Sequence, residues 1–174
     1  MIIVLMGTVG SGKSTQADLL AEKLGAYHFS MGDLLREVAN GSSQDARTVK
    51  SLIRKGEFVS DGLVIKLVKE YLEGKDKVVM EGFPRTLAQA SKSGIIPDQV
   101  VYISLPNGVS KKRLMARGRI DDTEETIVKR LAIYHKQTEP ILEYYRNEGK
   151  LIEVDGDRSI PDIARDIAHH IINV

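Results

Sequence analysis

Gly7-Thr8-Val9-Gly10-Ser11-Gly12-Lys13-Ser14 decides how the rest of this chain is read. The eight residues match the pattern G-x-x-x-x-G-K-[ST] in full. Before them stands Ile2 to Met6, a short apolar run rich in branched side chains, which reads as a strand buried on both faces. After them Ala17, Leu20, Ala21 and Leu24 share one helical face, and Gly25 ends the run. Strand, glycine-rich turn and helix in this order make an anion cradle. Glycines let backbone N–H groups turn inward around a phosphate, and the helix aims its positive end at the same point. Gly10, Ser11 and Gly12 would offer amides, and Lys13 a mobile charge for β and γ oxygens. Ser14 would offer a hydroxyl to Mg²⁺, with Thr15 beside it on the phosphates. The dinucleotide fingerprint fails, because Gly10-x-Gly12-x-x ends in Thr15 rather than Gly or Ala.

Working outward, Lys77 to Met80, Gln99 to Ser104 and Leu151 to Val154 read as further buried strands, and Tyr27 to Phe29 as a short one. Helical patterns lie between them. The longest starts near Thr123, with Glu124 and Glu125 in its first turn, and carries Ile127, Leu131, Tyr134, Thr138, Ile141 and Tyr145 on one face. Pro140 should kink it, lacking the N–H for its hydrogen bond. Ser159 should cap the last helix, with Pro161 in the first turn. The alternation predicts an α/β chain: a three-layer P-loop NTPase fold around a central parallel sheet of about five strands. Ser30 to Ser60 has helices without an intervening strand and reads as a helical insertion on that core. The whole of 1–174 reads as a single domain.

Composition narrows the function. With 174 residues and a formal net charge of +1, the chain has no global field to recruit nucleic acid or an anionic membrane. There is no Cys, hence no disulfide and no thiolate zinc site, and the four histidines fit no zinc-ligand spacing. No apolar run approaches the roughly 20 residues of a membrane span, and MIIVLMG lacks the marks of a signal peptide. The default expectation is a cytoplasmic protein, monomeric, with no nucleic acid or membrane partner.

Anion binding must therefore come from local clusters. Glu81 closes the second strand, where an acid helps hold Mg²⁺ directly or through water. Arg36 lies in the insertion, Arg85 follows the second strand, Arg113 and Arg117 share a helix face, Arg119 comes just after, and Arg130 sits in the long helix. Transfer of a phosphoryl group between two nucleotides gathers many negative charges, so arginines converging from separate elements are its expected signature.

The segments GTVGSGKST at 7–15, FSMGDLLRE at 29–37, GEFVSDGLVIKLV at 56–68, EGFPRTLAQA at 81–90, RIDDTEETIVKRL at 119–131 and YHKQTEPILEYY at 134–145 follow one order along the chain. Over essentially its whole length the sequence resembles the adenylate kinase family of nucleoside monophosphate kinases. The resemblance implies reversible phosphoryl transfer from Mg-ATP to AMP, giving two ADP. It implies that Lys13, Arg85, Arg117, Arg119 and Arg130 stabilise the transferring group, with Arg113, Arg117 and Arg158 around ATP. Around AMP it implies Met31, Arg36, Glu57-Phe58-Val59, Gly82, Phe83, Arg85, Gln89, Arg119 and Arg130, with Gln89 reading the adenine edge. Asp121 and Asp122 resemble the family's acidic pair that positions the arginines.

Departures from the family pattern leave alternatives open. Ser14 stands where the family usually has Gly, Glu81 where it usually has Asp, and Met31 where it often has Thr or Ala. A kinase acting on UMP, CMP or another small acceptor is the first alternative. A switch GTPase would need an N-K-x-D stretch, and none is present. Only Gly118 separates Arg117 from Arg119, where relatives carry a lid, so the lid at 117–119 is expected to be essentially absent. The insertion, or a neighbouring copy in an oligomer, would then have to close the site.

Overall fold

Five strands, β1 (Ile2–Met6), β2 (Tyr27–Ser30), β3 (Val78–Glu81), β4 (Gln99–Ser104) and β5 (Leu151–Asp155), form one parallel sheet in the order β2-β3-β1-β4-β5. They belong to a computed structural model that describes residues 1–119 and 122–172. β1 lies in the middle, and its side chains divide between two cores, as the pleat requires. Ile3 and Leu5 pack with Ala17, Leu20 and Ile167 on one face. Val4 and Met6 pack with Phe29, Met80, Val100 and Ile141 on the other. All four are at most 3% exposed. At about 1.5–3 kcal/mol for each fully buried side chain, this strand alone anchors the loop that follows it. The second expected strand is shifted by one residue: Lys77 precedes it and Glu81 belongs to it.

Helices cover both faces. α1 (Lys13–Leu24) leaves the glycine-rich turn and ends at Gly25, whose left-handed conformation caps it. α2 (Met31–Ala39) and α3 (Gln44–Arg54) fill the strandless stretch between Ser30 and Ser60, followed by α4 (Asp61–Leu72). Their buried residues Leu35, Val49, Val64 and Val68 join the β1 core on the Val4 side. α5 (Leu87–Lys92) follows β3, and α6 (Asn107–Arg117) follows β4.

The long helical pattern is broken where proline demands it, though not as a simple kink. α7 (Glu124–Ile133) passes into a π-helical turn (Tyr134–Thr138), and α8 (Pro140–Asn147) begins on the proline itself. The wider turn, with Glu139 N donating to Tyr134 O at 2.9 Å, removes the need for an N–H at position 140. It also turns Tyr134 and Thr138 inward, each 6% exposed. α9 (Ile160–Ile172) closes the fold, and Ser159 Oγ accepts from Asp162 N at its start. No described helix is long and apolar enough to cross a membrane.

Candidate active site

The strand order reverses around β1, which pairs with β3 on one side and β4 on the other. Parallel α/β sheets bind ligands outside the carboxyl ends of their strands at such a point. A cleft of about 360 Å³ opens there.

Its floor is the glycine-rich turn. Gly10 has φ +81°, and a Cβ there would meet Leu114 Cγ at 2.9 Å, so only glycine lets the turn pass under α6. Gly12 leads into α1, whose first turn carries neither a capping side chain nor an acid. That helix end offers its positive pole to an anion. Gly10, Gly12, Lys13, Ser14 and Thr15 all line the cleft. Ser11 does not: it is fully buried, and its N–H donates to Thr8 O at 3.2 Å. Lys13 Nζ donates to Gly7 O at 2.8 Å and Thr8 O at 2.6 Å. Burial lowers its pKa from the usual 10.5 to about 8; Glu81 opposes the shift, while Arg85 and Arg117 add to it. Glu81 lines the same cleft, and its Oε1 accepts from Ser30 Oγ at 2.6 Å.

The arginines converge here from separate elements. Arg36 on α2, Arg85 after β3, Arg113 and Arg117 on α6, Arg119, and Arg130 on α7 all line the cleft with Lys13. Each is held. Arg36 pairs with Asp33 one helical turn back. Arg85 Nε donates to Gly82 O at 2.7 Å, and its guanidinium carbon lies 5.5 Å from the Phe58 ring centre. Burial pushes the Arg85 pKa below the usual arginine value. Arg113 donates to Gly156 O at 3.1 Å, which ties α6 to the loop after β5. The Asp122 carboxylate, closed off from solvent, accepts two bonds from Arg117 (2.7 and 2.8 Å) and one from Arg130 (3.2 Å). Asp121 lies outside the described residues.

Met31, Gly82, Gln89 and the run Glu57-Phe58-Val59 line the other side of the cleft. Met31 is 1% exposed and packs in the core as well. The Glu57 carboxylate turns away to Lys129 at 2.7 Å, so this residue faces the cleft with the rest of its atoms. Two expected contacts are placed elsewhere. Phe83 is 2% exposed, and its ring is spent on the core beneath Arg85. Arg158 is absent from the lining because Asp166 and Asp155 draw its guanidinium onto the surface by α9.

A sequence model of the adenylate kinase family matches residues 5–150. The chain belongs to the adenylate kinase family. It is 38% identical to an adenylate kinase of Prochlorococcus marinus over 173 residues, 95% of each chain. It is also 38% identical to adenylate kinase 1 of a Synechocystis species over 175 residues, 95% of this chain and 94% of the relative. An adenylate kinase of Encephalitozoon cuniculi is 35% identical over 171 residues, 97% of each chain. The family-model match therefore extends through the loop, the insertion and all six arginines of the cleft.

Within this site, several supporting residues escaped the sequence reading. Ser30 caps α2 while its hydroxyl also donates to Glu81; the Ser-x-x-Asp spacing before the helix was the available signal. Thr138 Oγ1 donates to Arg85 O at 2.9 Å, fixing the arginine's backbone from the π-helical turn. Its signal was a hydroxyl on an otherwise apolar helical face. Asp61, which accepts from both Thr86 and Gln89, had none in the local sequence.

Proposed function

We propose that the cleft transfers the terminal phosphoryl group of Mg-ATP to AMP, giving two ADP, by positioning and electrostatics alone. The observation that carries this is the gathering of Lys13 with six arginines from separate segments around one cleft. A single triphosphate has no use for so many fixed cations; two nucleotides meeting end to end do. The family and its relatives named adenylate kinase support the same reading.

In this account ATP lies with its phosphates on the amides of Gly10 and Gly12, against Lys13 and Thr15. Its base lies by Arg113. AMP enters between the insertion and β3. Arg36 and Arg85 take its phosphate, Glu57-Phe58-Val59, Met31 and Gly82 wall the base, and Gln89 reads the base edge. Arg117, Arg119 and Arg130 face both phosphates and hold the charge that spreads over the transferring group. The donors near Lys13 are a hydroxyl, Ser14, and a carboxylate, Glu81, both on the cleft. Such an all-oxygen set suits a hard cation that takes its remaining ligands from phosphate and water. Ser14 would hold Mg²⁺, with Glu81 behind a water, and the ion would neutralise charge on the β and γ oxygens. Ser30 keeps Glu81 aimed at that place. Closure of the site falls to the 30–60 insertion or to a second copy of the chain.

A coupled assay with Mg-ATP and AMP, CMP, UMP or GMP in turn tests the reading. AMP should be the preferred acceptor by a wide margin. Equal use of a pyrimidine monophosphate, or no transfer to any of the four, would overturn it.

A further inference from the structure

Gln89 sits on the cleft wall at 2% exposure, and its amide is already committed on two sides. Its Oε1 accepts from the backbone N–H of Arg85 at 2.7 Å. Its Nε2 donates to Asp61 Oδ1 at 2.7 Å. Neither partner can change role. A backbone N–H only donates, and a carboxylate only accepts. Turning the amide over would set oxygen against carboxylate and N–H against N–H, losing both bonds and adding two repulsions. Asp61 is itself fixed: it stands in the first turn of α4, and Thr86 Oγ1 reaches both its oxygens at 3.2 Å. Thr86 in turn caps α5, accepting from Gln89 N at 3.1 Å. Asp61 is outside the cleft lining and acts only through Gln89.

We infer that Asp61 is a positioning residue that sets the acceptor base specificity by locking the Gln89 amide in one orientation, so that the site takes a 6-aminopurine and rejects a 6-oxopurine. The inference rests on the reading of Gln89 as the group that meets the acceptor base. After its two internal bonds the amide keeps one N–H and one lone pair. Adenine offers the complement on one edge, an acceptor at N1 and a donor at the 6-amino group. Hypoxanthine offers the reverse, a donor at N1 and an acceptor at O6. A locked amide therefore meets adenine with two bonds and hypoxanthine with two like-on-like contacts. Discrimination by a buried polar group left unmatched is large.

The test compares AMP with inosine monophosphate, which differs only in those two groups, under saturating Mg-ATP. Asp61→Asn keeps the shape but gives Gln89 a partner that can donate or accept, removing one of the two constraints. The ratio of kcat/KM for inosine monophosphate to that for AMP should rise by about tenfold or more. Asp61→Ser, which also frees the amide on that side, should move the ratio in the same direction. A loss shared equally by both acceptors, or no change in either, would overturn the inference. A second reading needs no substitution. In the free wild-type protein, one Nε2 proton of Gln89 should exchange with water far more slowly than that of an exposed glutamine, by NMR. Two freely exchanging protons would also overturn it. A wild-type protein that does not phosphorylate AMP at all would instead fail the proposed reaction, while the amide measurement still reports on the lock.

Discussion

The carboxylate of Asp122 is fully shielded from solvent and holds Arg117 through two parallel hydrogen bonds, Nε to Oδ2 at 2.7 Å and a terminal nitrogen to Oδ1 at 2.8 Å. It also takes a bond from Arg130 at 3.2 Å. One acid thus joins the end of α6 to the middle of α7 and sets the spacing of two cations on the cleft. Bidentate pairs of this kind fix geometry as well as adding energy.

Asp122→Asn should loosen both arginines at once. Arg117 is 36% exposed and Arg130 17%, so solvent repays part of the loss. The expected destabilisation is about 1–3 kcal/mol, below that of a fully buried pair. Turnover should fall further than stability implies, by about 10- to 100-fold, because the cations drift from the reacting phosphate. Denaturant unfolding and kcat measured on the same protein check both figures.

Arg85→Ala should weaken the use of AMP far more than the binding of ATP. Arg85 sits on the Phe58 and Gly82 side of the cleft, where the acceptor phosphate is proposed to lie. A rise in KM for AMP of about tenfold or more is expected, with ATP affinity nearly unchanged by calorimetry. Equal losses for both nucleotides would move Arg85 out of the acceptor site.

The lowered Lys13 pKa gives a pH dependence with a definite sign. Folded protein holds the proton only to about pH 8, whereas the unfolded chain holds it to about 10.5. Between those values the unfolded state binds more protons, so this residue makes the free protein more stable as pH rises. Binding has the opposite trend. A triphosphate against Lys13 restores its charge, so binding should take up close to one proton at pH 9 and almost none at pH 7. ATP affinity should weaken as pH rises through 8. Calorimetry in two buffers of different ionisation enthalpy measures the uptake; none at pH 9 would separate Lys13 from the phosphates.

Arg119 is exposed and only Gly118 separates it from Arg117, the last residue of α6. With so little chain to cover ATP, water should reach the transferring group. Hydrolysis of ATP without AMP should therefore exceed that of adenylate kinases with a long lid. A rate no higher than theirs would show that something else keeps water out.

What the sequence revealed was what is local along it. The run Ile2–Met6 is apolar throughout because both faces of β1 are covered, and the turn after it declares itself through its glycines. The arginines were visible as a set because they bracket recognisable segments. The orientation of each was not visible, since it depends on partners far along the chain. Asp61 and Gln89 are 28 residues apart, and Thr138 reaches Arg85 across 53. Arg158 makes the same point: the resemblance implied a place by ATP, whereas Asp155 and Asp166 hold its guanidinium on the surface. Pro140 was correctly marked as a disturbance. Whether the chain would bend or widen depended on how Tyr134 and Thr138 pack, which no helical pattern encodes.

The most direct test of two facing nucleotide sites needs a single nucleotide. Mg-ADP alone, incubated with the protein, should fill both sites and disproportionate, and chromatography should show ATP and AMP appearing in equal amounts without inorganic phosphate. Lys13→Ala should slow this by about 10³-fold. Release of inorganic phosphate in place of ATP, or ADP left untouched, would contradict the account.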